Sequence, residues 1–392
     1  MHARCQAYFI LIGLCALVLA SCTARTAVPT STTLGGPPVK PPLATLSPQT
    51  TSQPVSTTAL PAPLYFIAID DGQVYRLERD GQTTRQLTAE ASPVLSFDPA
   101  PNGTDLIYLI GDAEQRTVVL LSQGKRLELL YGAIERPIFD PSGEQILVRI
   151  ADPEPGLIIG QDSAPPGIYA QQISGGRPSL VLADRPKPGA ATGTSETFTP
   201  FDFSPTGNML LLVRDAPDGL DQLGLYDPAL GDVLRLPCCA YAWSPDRATL
   251  YVGGSSEASP SQSVIVRLPA AGGAPIPLAG SYASVDALYA EASGSLLGFI
   301  APLDSPLGSE IIVDMQRISP DGATTRLRDK TYPLYNAAWA TDGSGAVISL
   351  YVAGGADQPF ALESLRWLPT NPAAPEIELA GRGDRLRFGK GP

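Results

Sequence analysis

One local pattern recurs along this chain. An aromatic residue leads into a turn rich in Pro, Asp, Ser and Gly, and a short apolar run follows. At Trp243 it reads WSPDRATLYV. Further copies stand at Phe97 (FDPAPNGTDLIYLI), Phe139 (FDPSGEQILVRI), Phe203 (FSPTGNMLLLV), Tyr289 (YAEASGSLLGFI) and Trp339 (WATDGSGAVISLY). The steps between successive aromatics are 42, 64, 40, 46 and 50 residues. Repeats of about 40–50 residues, each with four strand-like runs, are the sequence signature of a β-propeller. The turn chemistry agrees: Pro presets φ, Asp or Ser bonds its own backbone, and Gly permits φ > 0.

Each repeat continues in the same order. An apolar run such as 106–110, 146–150 or 210–213 follows the turn, and a loop leads to a second run such as 264–268 or 311–318. A Gly-containing hairpin then opens the last run, as in SQGKRLELL, SGGRPSLVL and AAGGAPIPL. These runs are named A (before the turn), B, C and D. Ser319-Pro320-Asp321-Gly322 copies the turn letters but precedes TTRL, so it belongs to a C–D hairpin. Residues 64–88 supply B, C and D runs with no A run, and IELAGRGDRLRFGKG supplies a D run followed by an A run. Phe388 takes the aromatic slot, 49 residues after Trp339. The expected fold is all-β: a seven-bladed β-propeller of four-stranded antiparallel blades over residues 64–389. The N- and C-terminal strands are expected to share one blade, which leaves no open edge to pair with other chains. A β-sandwich without repeats is the competing architecture.

These aromatic-Ser-Pro-Asp-Gly turns resemble the WD40-like propeller of the TolB family, and the resemblance spans residues 64–389. It implies the propeller fold. Only Trp243 carries Ser-Pro-Asp, and Arg247 stands in the glycine place. The sequence holds no counterpart of the α/β domain that precedes the TolB propeller, so the Tol-system partnership does not follow from the fold.

The first residues read MHARCQAYFILIGLCALVLASC. Arg4 supplies positive charge, and Ala7 to Ala20 is uncharged and too short to span a membrane as a helix. Leu19-Ala20-Ser21-Cys22 resembles the lipobox of bacterial lipoproteins. The resemblance implies a signal peptide over residues 1–21, lipidation of Cys22, and attachment to a bacterial membrane in the cell envelope, facing outside the cytoplasm. The alternative is an ordinary signal peptide with a chance cysteine. Residues 22–63 are rich in Thr, Pro and Ser, lack an apolar period, and read as an extended flexible tether.

Composition excludes several functions. The formal net charge of −12 argues against nucleic-acid binding, which needs basic surface. The one histidine, His2, lies inside the signal. A Ser-His-Asp triad, a Cys-His pair and a His-ligated zinc are therefore unavailable downstream. Beyond Cys22 the cysteines are Cys238 and Cys239, adjacent in sequence. They read as two small buried hydrophobes before a strand, as a vicinal disulfide, or as partners of another chain.

In antiparallel blades the B–C and D–A connections share one face, and the A–B and C–D turns share the other. The two longest connections, 151–166 and 184–199, fall on the B–C face, and long loops on rigid scaffolds are where binding usually resides. The B–C loops are acidic. They hold Asp70, Asp71, Asp112, Glu114, Asp152, Glu154, Asp162, Asp215, Asp218, Asp221, Glu257, Asp304, Glu310 and Asp357, against one base, Arg116. Basic residues gather in C–D hairpins instead, among them Arg79, Lys125, Arg126, Arg177 and Arg326. Asp152, Glu154, Asp162, Asp215, Asp218 and Asp221 are the candidate binding residues, for a protein, peptide or glycan partner. Clustered carboxylates draw in cations and basic partners. A solvated face that confers only solubility is the plain alternative. Asp215, Asp218 and Asp221 are also the one calcium candidate, although an Asp/Gly turn explains them as well and no cofactor is expected. The expected function is a membrane-anchored binding module of open oligomeric state. The competing function is a glycan hydrolase or lyase that works with carboxylates and no histidine.

Overall fold

A computed structural model describes residues 59–389, apart from 113–114, 153–164, 187–194, 216–221, 257–258, 271, 279, 304–311 and 354–359. The fold is all-β, and every strand pairing in it is antiparallel. β1 (Leu64–Ala68), β2 (Val74–Leu77) and β3 (Thr84–Gln86) form the first meander. β4 (Val94–Pro99), β5 (Leu106–Gly111) and β6 (Arg116–Ser122) lead into a long strand, β7 (Lys125–Phe139). β7 pairs with β6 up to Gly132 and, from Ala133, with β8 (Gln145–Asp152). β9 (Gly167–Gln172) and β10 (Ser179–Ala183) complete that sheet.

The next sheet holds β11 (Arg185–Pro186), β12 (Ser195–Phe203), β13 (Leu210–Asp215), β14 (Gln222–Asp227) and β15 (Asp232–Leu236). β16 (Cys238–Trp243), β17 (Thr249–Ser256), β18 (Ser259–Pro269) and β19 (Ile276–Pro277) form the following one. β20 (Ser284–Ala290), β21 (Leu296–Ala301) and β22 (Ile312–Ile318) lead into a second long strand, β23 (Thr324–Trp339), which pairs first with β22 and then with β24 (Gly345–Ala353). β25 (Phe360–Leu362), β26 (Arg366–Pro369) and β27 (Ile377–Glu378) finish that sheet. β28 (Gly383–Phe388) then pairs with β1, with Leu64 opposite Phe388, to give the order β28-β1-β2-β3.

Burial explains why these segments are strands. All five residues of β1 and all six of β21 are buried. Such continuous apolar runs need cover on both faces of a sheet. The last strands of the meanders are the opposite case: β3 and β19 are fully exposed. Several apolar clusters lie between sheets that are neighbours in sequence. Tyr65 and Ile67 pack with Val94, Phe97 and Tyr108. Ile138 and Ile168 pack with Phe198 and Leu212. Leu211 and Leu223 pack with Leu250 and Val252. A further cluster joins Val347, Leu365 and Trp367, from the sheet of β24–β26, to Leu64, Phe66 and Leu77.

The A–B turns share one construction. After β12, Ser204 Oγ accepts the Met209 N–H at 3.0 Å, the Gly207 N–H donates to the Ser204 carbonyl at 2.8 Å, and Gly207 has φ +74°. After β16, Ser244 Oγ accepts the Thr249 N–H at 2.9 Å, and the Arg247 N–H donates to the Ser244 carbonyl at 2.8 Å. Arg247, in the glycine place, adopts the same left-handed backbone at φ +63°.

Candidate functional site

The first strand of each meander stands beside its counterparts. β4 lies against β7, β7 against β12, β20 against β16 and β23, and β28 against both β23 and β4. Most of these strands slip register against their partner. Slips occur at Val94/Ser96, Glu135/Ile138, Pro200/Asp202, Val285/Ala287 and Leu334/Asn336, and in β28 opposite Tyr65/Ile67. A slip leaves residues outside the ladder and re-aims their side chains. The residues so released include Leu95, Arg136, Phe201, Asp286, Tyr335 and Arg385. Arg136 and Arg385 have φ of +40° and +53°, a conformation that side chains other than glycine rarely adopt. β16 keeps a continuous register from Cys238 to Trp243.

The released residues meet charged neighbours. The Arg136 guanidinium carbon stands 4.1 Å from the centre of the Phe201 ring. That ring meets Tyr241 edge-on, with centroids 5.4 Å apart. The Tyr241 hydroxyl donates to the Asp202 carboxylate. Asp98, 1% exposed, accepts the Phe139 N–H at 3.0 Å and faces the Arg387 guanidinium at 3.5 Å. Asp384 accepts from the Tyr335 hydroxyl at 3.2 Å and from the Asn336 amide at 3.0 Å. Burial, with the charges of Arg387 and Arg385 beside it, pushes the Arg136 pKa down to about 9. Burial and the Asp202 carboxylate hold the Tyr241 phenol well above its usual range. Burial opposes the Arg387 charge, but Asp98, Tyr241 and Asp202 outweigh it and hold that pKa up.

The loop face is built differently. Asp71 Oδ1 accepts the Gln73 N–H at 2.9 Å, and its Oδ2 accepts the Tyr75 hydroxyl at 2.8 Å. Asp112 Oδ1 accepts the Gln115 N–H at 2.8 Å. Asp70 pairs with Arg382 across the β1–β28 edge, and its side chain is 66% exposed. Asp70, Asp71, Phe66, Tyr75 and Arg382 line a hollow of about 160 Å³. Arg116 bridges this loop and β7, donating from Nε to the Asp112 carbonyl at 3.0 Å and from Nη1 to the Ile134 carbonyl at 3.1 Å, with Glu135 at 3.8 Å. A larger hollow of about 380 Å³ lies among the A–B turns, between Asp140, Ser142, Phe203, Thr206 and Met209.

Asp152 and Asp215 close β8 and β13, opposite Ala133 and Thr197. Glu154, Asp162, Asp218, Asp221 and Cys22 lie outside the described residues. Among the described residues no group of three or more His, Cys, Asp or Glu is placed to hold a metal. Cys238 and Cys239 open β16 with their sulfurs joined to each other. Cys239 is exposed and Cys238 half-buried, so they are not the pair of buried hydrophobes that the apolar context suggests.

The sequence reading missed two sets of residues. One is the inner group of Asp98, Arg136, Asp202, Tyr241, Arg385 and Arg387. The other is a pair of buried arginines. Arg149 is held by Asp184 through two hydrogen bonds of 2.7 and 2.8 Å, and by the Phe198 carbonyl at 3.1 Å. Arg214, fully buried, is held by Glu196 and Gln222. A lone arginine inside an apolar run, as in ILVRI and LLLVRD, was the available signal.

No family model matches this chain, and no curated protein matches it. Solved structures do. TolB from Acinetobacter baumannii, a β-propeller protein, is similar at 14% identity with a TM-score of 0.41, over 67% of this chain and 62% of its own. The tricorn protease is similar at 13% identity and TM-score 0.50, over 81% of this chain and 34% of its own. A prolyl endopeptidase is similar at 11% identity and TM-score 0.51, over 81% of this chain and 46% of its own. This chain thus spans less than two thirds of each of these proteins, and what the likenesses carry is the fold.

Proposed function

We propose that this protein is a lipid-anchored binding module of the bacterial cell envelope, built on a closed seven-bladed propeller, with its acidic loop face turned toward a basic partner. Support for closure comes from the antiparallel pairing of β28 with β1 and from the apolar cluster that joins the sheet of β24–β26 to Leu64 and Phe66. Dividing β7 and β23 at their changes of partner then leaves seven meanders of four main strands. Leu64 begins β1 at the A–B end, so the chain enters at the rim opposite Asp70 and Asp71.

One observation carries the binding role. Asp71 and Asp112 are fixed by their own turns, and the one base of these loops, Arg116, is engaged by two backbone carbonyls, those of Asp112 and Ile134. In sequence these loops carry fourteen acids against one base, and among the described residues Arg382 meets Asp70 and Arg116 meets the Asp112 carbonyl. Fixed charge of one sign speeds encounter with partners of the other and loses its reach as salt rises.

Affinity capture from the native membrane tests this reading. The wild-type chain is expected to retain a basic partner at low salt and release it at high salt. A triple Asp70→Asn, Asp71→Asn, Asp112→Asn variant is expected to lose most of it. Equal recovery by the two chains would overturn the role of this face. Cys22→Ser tests the anchor separately, with release of the chain from the membrane fraction as the expected result.

A further inference from the structure

The inner strands hold a second kind of site, in which guanidinium groups stand among carboxylates that are already engaged. β7 and β28 place three guanidinium groups, Arg136, Arg385 and Arg387, within electrostatic reach of one another inside a protein of net charge −12. The carboxylates near them are already engaged. Asp98 accepts the Phe139 N–H and faces Arg387. Asp202 accepts the Tyr241 hydroxyl, and Asp384 accepts Tyr335 and Asn336. Arg136 differs from its neighbours. Among the described residues its partner is the Phe201 ring, which covers one face of the guanidinium and accepts no in-plane hydrogen bond.

The backbone adds an independent observation. Arg136 sits in a register slip, with φ +40°, beside Pro137. A bulge combined with a left-handed residue is a costly way to build a strand, and such outliers gather at functional sites. Arg385 repeats the device in β28 at φ +53°. Arg136, Phe201, Asp202, Tyr241, Arg385 and Arg387 are each half-buried, none of them fully enclosed.

We propose that Arg136, backed by Phe201 and flanked by Arg385 and Arg387, binds a small oxyanion carried by a carboxylate or a phosphate. The guanidinium fork presents parallel N–H donors that match two oxygens of either group. Stacking on Phe201 fixes the plane of the fork, so little orientation is lost on binding. The Tyr241 hydroxyl is committed to Asp202 and holds the ring that meets Phe201. This site is separate from the acidic loops and stands whether or not they bind a partner.

Isothermal titration of the full chain tests it, with sodium phosphate and sodium acetate as two arms, sodium chloride as control and constant ionic strength. A saturable heat is expected with one anion or both; which arm binds identifies the chemistry. Arg136→Gln is expected to abolish the heat. Arg136→Lys, which keeps the charge and loses the fork, is expected to weaken binding about tenfold. If Arg136→Gln does not fold, Arg136→Lys and Phe201→Leu decide, each by weakened binding at an unchanged melting temperature. Saturable heat with neither anion in the wild-type chain would overturn the proposal. So would undiminished binding in the folded Arg136 variants.

Discussion

Arg136 and Arg149 lie on paired strands, β7 and β8, and Arg149 faces Glu135, the residue before Arg136. Their surroundings are unlike. Arg149 has a carboxylate that meets its fork in two hydrogen bonds, a backbone carbonyl, and Glu135 at 3.4 Å. Arg136 has an aromatic ring on one side and two other arginines nearby. Arg149 is equipped for permanence, since a buried charge is stable only when paired and hydrogen-bonded. Arg136 is equipped for exchange: burial and two neighbouring arginines disfavour its charge, and among the described residues only the Phe201 ring meets it. Two arginines in one sheet thus separate a structural role from a binding role by what surrounds them.

The sharpest test removes the partner of the structural arginine. Asp184→Asn is expected to cost about 3 kcal/mol in denaturant unfolding, because it takes from a buried guanidinium the carboxylate that meets its fork and leaves only the half-buried Glu135 at 3.4 Å. Arg136→Met is expected to change stability by about 1 kcal/mol or less, and toward gain, because it deletes a charge that burial and two neighbours disfavour. Similar losses from both would erase the distinction drawn here.

A pH titration reads the same contrast. Between pH 9 and the ordinary arginine range the folded chain has shed the Arg136 proton while the unfolded chain keeps it, so this group makes stability rise with pH there. Tyrosines work the other way. Burial, then Glu90 and Glu376, raise the phenols of Tyr108 and Tyr332, so unfolded tyrosines ionise first and stability falls as pH climbs past 10. Net alkaline loss is expected in urea melts, and it should be steeper in Arg136→Met than in the wild type. The smallest expected effect is at Arg247. Arg247→Gly relieves a left-handed arginine at some cost in chain entropy, for a gain of about 0.5 kcal/mol seen as a slightly higher melting temperature.

How much the sequence discloses follows from which forces leave a local trace. Strand and turn chemistry repeats every 40–50 residues, so the all-β antiparallel fold and its likeness to TolB could be read directly. The inner cluster could not. Its members come from five strands spread between Asp98 and Arg387, and two of them, Arg136 and Arg385, leave the ladder through slips in register that depend on the partner strand. Arg136 looks ordinary in AIERPIF until the ladder skips it. The acidic loops were legible as composition, yet the engagement of Arg116 with Ile134 and of Asp70 with Arg382 needed coordinates.

The contact between Asp70 and Arg382 joins positions 312 residues apart. At roughly 5–20 residues per second, a ribosome takes about 15–60 s to travel that distance. Throughout that interval β1 has one edge bare, and its five buried residues have no β28 beside them. The first sheet is therefore the last to be finished. A chaperone or a delay in folding has its longest opportunity at LYFIA, and any transcript that stops short of residue 383 leaves that edge permanently open to a neighbour.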